Sequence, residues 1–155
     1  MVFVATNNPN DTSDQTVTNI AFFPNFLVAD FRTAVRLQDT VTDERVVRAL
    51  TTAMMDVNRE LSAWKDAQVV LGYNTLAEVP AQNYGTVTEY QHYYTNAVYS
   101  KAKAELVEFY NDSDTTDEGL RRFIGFLPAG EAYLRESKEA IRNILGESHL
   151  TVELI

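Results

Sequence analysis

The chain has no cysteine, which excludes disulfides and thiolate metal sites and leaves a reducing compartment open. Glycine is scarce and scattered singly, at Gly72, Gly85, Gly119, Gly125, Gly130 and Gly146, so neither glycine-rich phosphate-binding motif occurs. No serine stands in a G-x-S-x-G context. There are two histidines. His92 has Thr95 and Asn96 at the helical i+3 and i+4 positions, so it lacks a partner ligand and reads as a surface or core-rim side chain. His149 stands near the chain end and reads as solvated. No run approaches the ~20 apolar residues of a membrane span. Residues 1–10 lack both a basic start and an apolar core, so no secretion signal is expected, and the chain reads as soluble. Basic residues are outnumbered, 13 to 22, and the net charge of −9 argues against a nucleic-acid-binding face and against adhesion to anionic membranes. With so few converging groups, no enzyme, metal or cofactor is expected.

What is present is helical pattern. Within residues 42–72, Val46, Leu50, Ala53, Val57, Leu61, Trp64 and Leu71 recur at spacings of three and four, skipping only Gln68. That period predicts one amphipathic helix. Thr42 suits its N-cap, Asp43 and Glu44 its first turn, and Val41 and Val46 have staple spacing. Gly72 stands where a left-handed residue closes a helix. Such a rod of 29 residues is ~44 Å long and must be covered by other helices.

Residues 5–19 are Asn, Thr, Asp and Ser with little to bury. They read as a mobile arm that orders on a partner, or as a plain disordered terminus. The IAFFPNF stretch at residues 20–26 has three Phe in seven residues, and Pro24 bars a helix through it. It is expected to dock as an extended plug on the core; a surface recognition patch is the other reading. A short helix over residues 27–37 presents Leu27, Phe31, Ala34 and Val35 on one face and Arg32 and Arg36 on another.

Thr75 and Glu78 have capping-box spacing before a single turn that Pro80 ends. Thr86 and Glu89 repeat it before a helix over about residues 87–110, rich in Tyr90, Tyr93 and Tyr94, with small residues in its middle. Thr115 and Glu118 repeat it again in an acidic link, residues 111–118. Asp112 and Asp114 begin like a calcium loop, but Thr116 replaces the third ligand and no Gly stands at the sixth position, so a solvated, capping turn is the plainer reading. Helix continues with Leu120, Phe123, Ile124 and Phe126, is expected to break or kink at residues 128–130, and resumes to Gly146. Arg121, Arg122, Arg135, Lys138 and Arg142 make this region mildly basic, with Glu131 paired four before Arg135. The tail at residues 150–155 alternates apolar and polar side chains, the period of a strand, with no other convincing strand in the chain to pair with. It lies on the helices or adds to a sheet in another subunit. The reading is all-α: a bundle of about four helices around one long central helix, with a mobile arm at 1–19, a helical domain at 20–146 and an extended tail at 147–155.

The order of these pieces resembles the phage head completion protein family (the L protein, GPL, of temperate myophages). The resemblance is carried by FFPNFLVADFRTAVRLQDTVTDERVVRAL, by VNRELSAW followed by GYNTLAEVPA, by YYTNAVYSKAKAELVEFY, and by AIRNILG with VELI. It covers most of residues 22–155; GLRRFIGFLPAG at 119–130 departs from it, and the polar arm lies outside it. The resemblance implies a structural virion protein, a head–tail adaptor. It implies binding to the portal ring of the DNA-filled head, contact with neighbouring copies in a ring of twelve, and a surface for a downstream neck or stopper protein. Packaged DNA would pass without sequence-specific binding. Candidates for the portal or subunit interface are Leu150, Val152, Leu154 and Ile155, with Phe22 and Phe23. The competing reading is a cytoplasmic helical binding or chaperone-like module using the tyrosine-rich helix as its groove.

Overall fold

The computed structural model describes the backbone of residues 15–37, 39–113 and 117–147, with side chains throughout except at 111–113 and 117–129. It is mostly helical. In chain order it comprises β1 (Thr16–Val17), β2 (Phe26–Leu27), α1 (Val28–Ala34), α2 (Asp43–Glu60), α3 (Ser62–Val70), a 3-10 turn (Leu76–Glu78), β3 (Asn83–Tyr84), β4 (Val87–Thr88), α4 (Glu89–Ser113) and α5 (Asp117–Leu145).

The long rod expected over residues 42–72 is interrupted. Helix α2 ends at Glu60, Leu61 sits at φ −91°, ψ 1°, and α3 begins at Ser62. The ladder is re-entered at once: Leu61 N–H donates to Val57 O at 3.0 Å, and Lys65 N–H donates to Leu61 O at 2.8 Å. Ser62 Oγ donates to Arg59 O at 2.9 Å, so a side chain competes for a carbonyl that the ladder would use. Leu61 itself is fully buried at the break. The ends match the sequence reading. Thr42 occupies the N-cap, although its side chain makes no capping bond, and Val41 and Val46 are both buried. Gly72, at φ +98°, closes α3: its N–H donates to Val69 O, and Tyr73 N–H donates to Gln68 O.

The central helix is α4, which lies between α2 and α5. Its small residues Ala97, Ala102 and Ala104 are buried and admit close neighbours. Helix α5 runs antiparallel to it: Ser137 Oγ donates to Ala97 O at 2.8 Å, while Gly130 lies against Val107. The break expected at residues 128–130 does not occur; α5 is continuous through Pro128. The missing N–H costs one bond in a helix whose backbone runs beside α4. The cap of α4 is also two residues later than its sequence spacing suggests. Thr88 Oγ1 accepts from Gln91 N–H at 3.2 Å and Gln91 Oε1 accepts from Thr88 N–H at 2.9 Å, whereas Thr86 lies in the tight turn of a hairpin. That hairpin pairs Asn83 with Thr88 and Tyr84 with Val87, around Gly85 at φ +67°.

Two short strand pairs therefore exist where none was expected. The second ties down the end of the polar arm: Thr16 pairs with Leu27 and Val17 with Phe26, and Val17 is buried. Residues 15–19 thus belong to the folded body, which moves the boundary drawn at residue 19. Residues 1–14 and 148–155 lie outside the described residues, as does Thr115 of the third capping-box spacing.

Candidate functional site

Residues 20–26 form the plug that their composition predicts. Phe22, Phe23 and Phe26 are each about 5% exposed. Phe23 and Phe26 lie flat on Tyr94, Phe26 meets Tyr99 at a tilt, and Phe22 meets Trp64 edge-on, with centroids 6.3 Å apart. Burying each ring stabilises the fold by ~1.5–3 kcal/mol. Phe22 and Phe23 are thus corrected as interface candidates: in this fold their surfaces are covered by the chain's own helices.

Asn19 locks the plug. Its N–H donates to Asn25 Oδ1, its Nδ2 donates to Pro24 O and to the Tyr94 hydroxyl, and its Oδ1 accepts from Asn58 Nδ2 and Ile20 N–H. Tyr94 in turn donates to Asn58 Oδ1 at 2.6 Å. Burial pushes the Tyr94 hydroxyl well above the usual tyrosine range, opposed in part by the Asn19 hydrogen bond. Among the described residues no buried side-chain polar atom lacks a partner. The tyrosine-rich face of α4 is consequently filled: Tyr94 is fully buried, and Tyr90, Tyr93 and Tyr99 pack against the core.

Chemistry is sparse. No group of three His, Asp or Glu that could hold a metal occurs among the described residues. His92 is exposed, its Nε2 3.1 Å from Asn96 Nδ2; Asp112, Asp114 and His149 lie outside the described side chains. Between α2, α4 and α5 a shallow cleft of about 210 Å³ is lined by Asp56, Lys101, Glu105 and Glu108 among others. Lys101 Nζ spans it to Asp56 at 3.3 Å and Glu60 at 3.7 Å. Burial raises the Glu105 carboxyl pKa; Arg48 opposes that, while Asp56 and Glu108 add to it. These are cross-helix ion pairs on a half-wet seam, and no nucleophilic side chain lines it among the described residues. No described helix is long and apolar enough to cross a membrane.

Among the described residues, apolar side chains are exposed on α3 and the hairpin, and also singly elsewhere, as at Met55 on α2. On α3, Trp64 and Gln68 turn inward, while Ala63, Ala67, Val70 and Leu71 form a second stripe facing out. Val70 is 86% exposed and Leu71 68%. The cross-strand pair Tyr84 and Val87 shares one face of the hairpin and is also exposed. Sequence reasoning missed this surface because it assigned Leu71 to the buried stripe. The available signal was the run Val69-Val70-Leu71, which cannot place all three side chains on one helix face.

The structure is a helical body with a filled core and an exposed apolar surface on α3 and the β3–β4 hairpin. The chain matches the phage head completion protein (GPL) family over residues 17–155, and it belongs to that family. It is 28% identical to the head completion/stabilization protein of Escherichia phage P2 over 148 residues, 95% of this chain and 88% of that one. It is 23% identical to the probable head completion/stabilization protein of Haemophilus phage HP1 over 145 residues, 94% of this chain and 95% of that one. No solved structure matches the chain. Its role is therefore structural, in assembly of the phage head. This agrees with the resemblance read from the sequence.

Proposed function

We propose that the protein completes the DNA-filled head by binding the portal vertex as a ring of twelve copies, and that it forms the surface joined next by a neck or stopper protein. It would act in the host cytoplasm during assembly and remain in the virion at the head–tail junction. The observation that supports this reading most is family membership across residues 17–155, since it covers both the helical body and the tail. The body suits a ring component: α2, α4 and α5 form a stiff frame, and the apolar end of α3 and the hairpin is free for contact with another chain. Contacts between copies that are weak singly become strong when a portal holds them side by side. The tail, with Leu150, Val152, Leu154 and Ile155, is the segment proposed to reach a neighbour or the portal. The net charge of −9 suits a conduit that repels phosphate and lets DNA slide; channel-facing residues that prove mostly basic in an assembled particle would overturn that point. Co-precipitation with purified portal tests the reading. The full chain is expected to be retained by portal rings, and failure to bind intact rings contradicts it.

A further inference from the structure

We propose that two copies of the free chain pair antiparallel through the outward stripe of α2 and α3. The stripe is set by helical period. Helix α3 re-enters the ladder of α2 at Leu61, so the 3.6-residue repeat runs on across the break. Opposite the buried Val46, Leu50, Val57 and Leu61 it brings out Thr52, Met55, Arg59, Ser62, Asp66 and Val70, and every one of these is exposed. They span ~27 Å of helix. A solvated helix face is normally laced with charge, yet here only Arg59 and Asp66 carry one.

The order of these residues is self-complementary. An antiparallel pairing about a twofold axis between Ser62 and Ala63 sets Arg59 of each copy against Asp66 of the other, and Met55 against Val70. Both charges are available: the Arg59 side chain is 74% exposed and that of Asp66 70%. Their pairs within one copy, to Asp56 at 3.5 Å and to Lys65 at 2.9 Å, are surface pairs that contribute little in water. Ser62 and Ala63, at the crossing point, are small enough for the helices to approach closely. A parallel pairing in register would set Arg59 on Arg59 and Asp66 on Asp66, so the same charges select the direction. The partner this stripe fits is thus a second copy of the chain, whose own reversed order supplies the opposite charge at each charged position.

Met55 and Val70 each cover on the order of 100 Å². The apolar contact is therefore far below the ~800 Å² per partner of a stable complex. The dimer is weak, with a dissociation constant on the order of 0.1 mM. A twofold contact closes at two copies and does not grow into a ring. The inference accordingly concerns the free chain and does not rest on the portal reading.

Sedimentation velocity of the full chain is expected to show a monomer–dimer equilibrium between about 10 µM and about 1 mM. Arg59→Glu and Asp66→Arg each turn both cross-pairs into like charges, and each should weaken the dimer roughly tenfold or more. An equimolar mixture of the two variants should dimerise again, because each supplies the charge that the other lacks. That recovery also shows that both variants are folded. Arg142→Glu makes the same charge change on α5 and should leave the equilibrium as it is. A chain that stays monomeric at about 1 mM overturns the proposal, as do species larger than a dimer. So do single variants that pair like the unaltered chain, a mixture that fails to recover, or an equal loss in Arg142→Glu.

Discussion

The ring of Phe23 lies on the ring of Tyr94 with centroids 4.4 Å apart and planes 4° from parallel. This one stack joins the extended plug to the central helix, and its polar edge is the Tyr94 hydroxyl held between Asn19 and Asn58. The N-terminal segment is thereby built into the core.

Tyr94→Phe keeps the stack and removes the hydroxyl. It leaves Asn19 Nδ2 and Asn58 Oδ1 short of a partner in a half-buried network, which costs ~1–3 kcal/mol. Urea unfolding should show a lower midpoint with an unchanged slope. An unchanged midpoint would mean that the network contributes no net stability.

Two buried hydroxyls make the fold sensitive to alkali. Burial raises the Tyr94 pKa, and burial together with the charge of Asp30 pushes Tyr99 up to about 12. Both hold their protons more tightly folded than unfolded, where a tyrosine titrates near 10. The stability they contribute is therefore fully present below about pH 10 and is lost as pH rises through the folded values. Unfolding midpoints should be flat between about pH 8 and 9.5 and fall above about pH 10. The fall should be smaller in Tyr94→Phe.

Arg36 closes α1 at φ +50°, with Leu37 N–H donating to Arg32 O at 3.0 Å. This is a left-handed helix terminus occupied by a side chain that disfavours it. Arg36→Gly should raise stability by ~1 kcal/mol, while Arg36→Ala should change it by only a few tenths. Thermal unfolding of the two variants separates backbone strain from loss of the exposed charge.

Gly130 sits mid-helix in α5, where an added Cβ would meet Val107 Cγ1 at an ordinary 3.8 Å. Gly130→Ala should therefore stabilise the protein by up to ~1 kcal/mol through helix propensity alone. A loss of stability instead would show that α4 and α5 approach each other more tightly there.

The sequence announced its helices because their apolar residues follow the 3.6-residue period, and the ends at Gly72 and Gly146 obey local capping rules that do not depend on tertiary context. The break at Leu61 was not legible: the apolar spacing runs straight through it, and the competing Ser62 hydroxyl carries no period. Pro128 misled in the opposite sense, since a long helix running beside α4 continues despite one lost hydrogen bond. The capping box was read at Thr86, but Thr86 lies in the turn that pairs Tyr84 with Val87, and Thr88, two residues on, makes the cap. The arm boundary was misplaced because Asn19 looks like any other polar residue of its segment until Tyr94, 75 positions away, is brought to it. Phe22 and Phe23 show why apolar residues make poor interface candidates in sequence alone: a plug and a patch have the same composition.

Electron microscopy of the full chain mixed with purified portal rings tests the central claim most directly. The account predicts a continuous collar of twelve copies on one face of the portal, leaving the channel open, formed without DNA or enzyme. Portal rings that stay bare at saturating protein, or copies scattered over the portal without a collar, would contradict it.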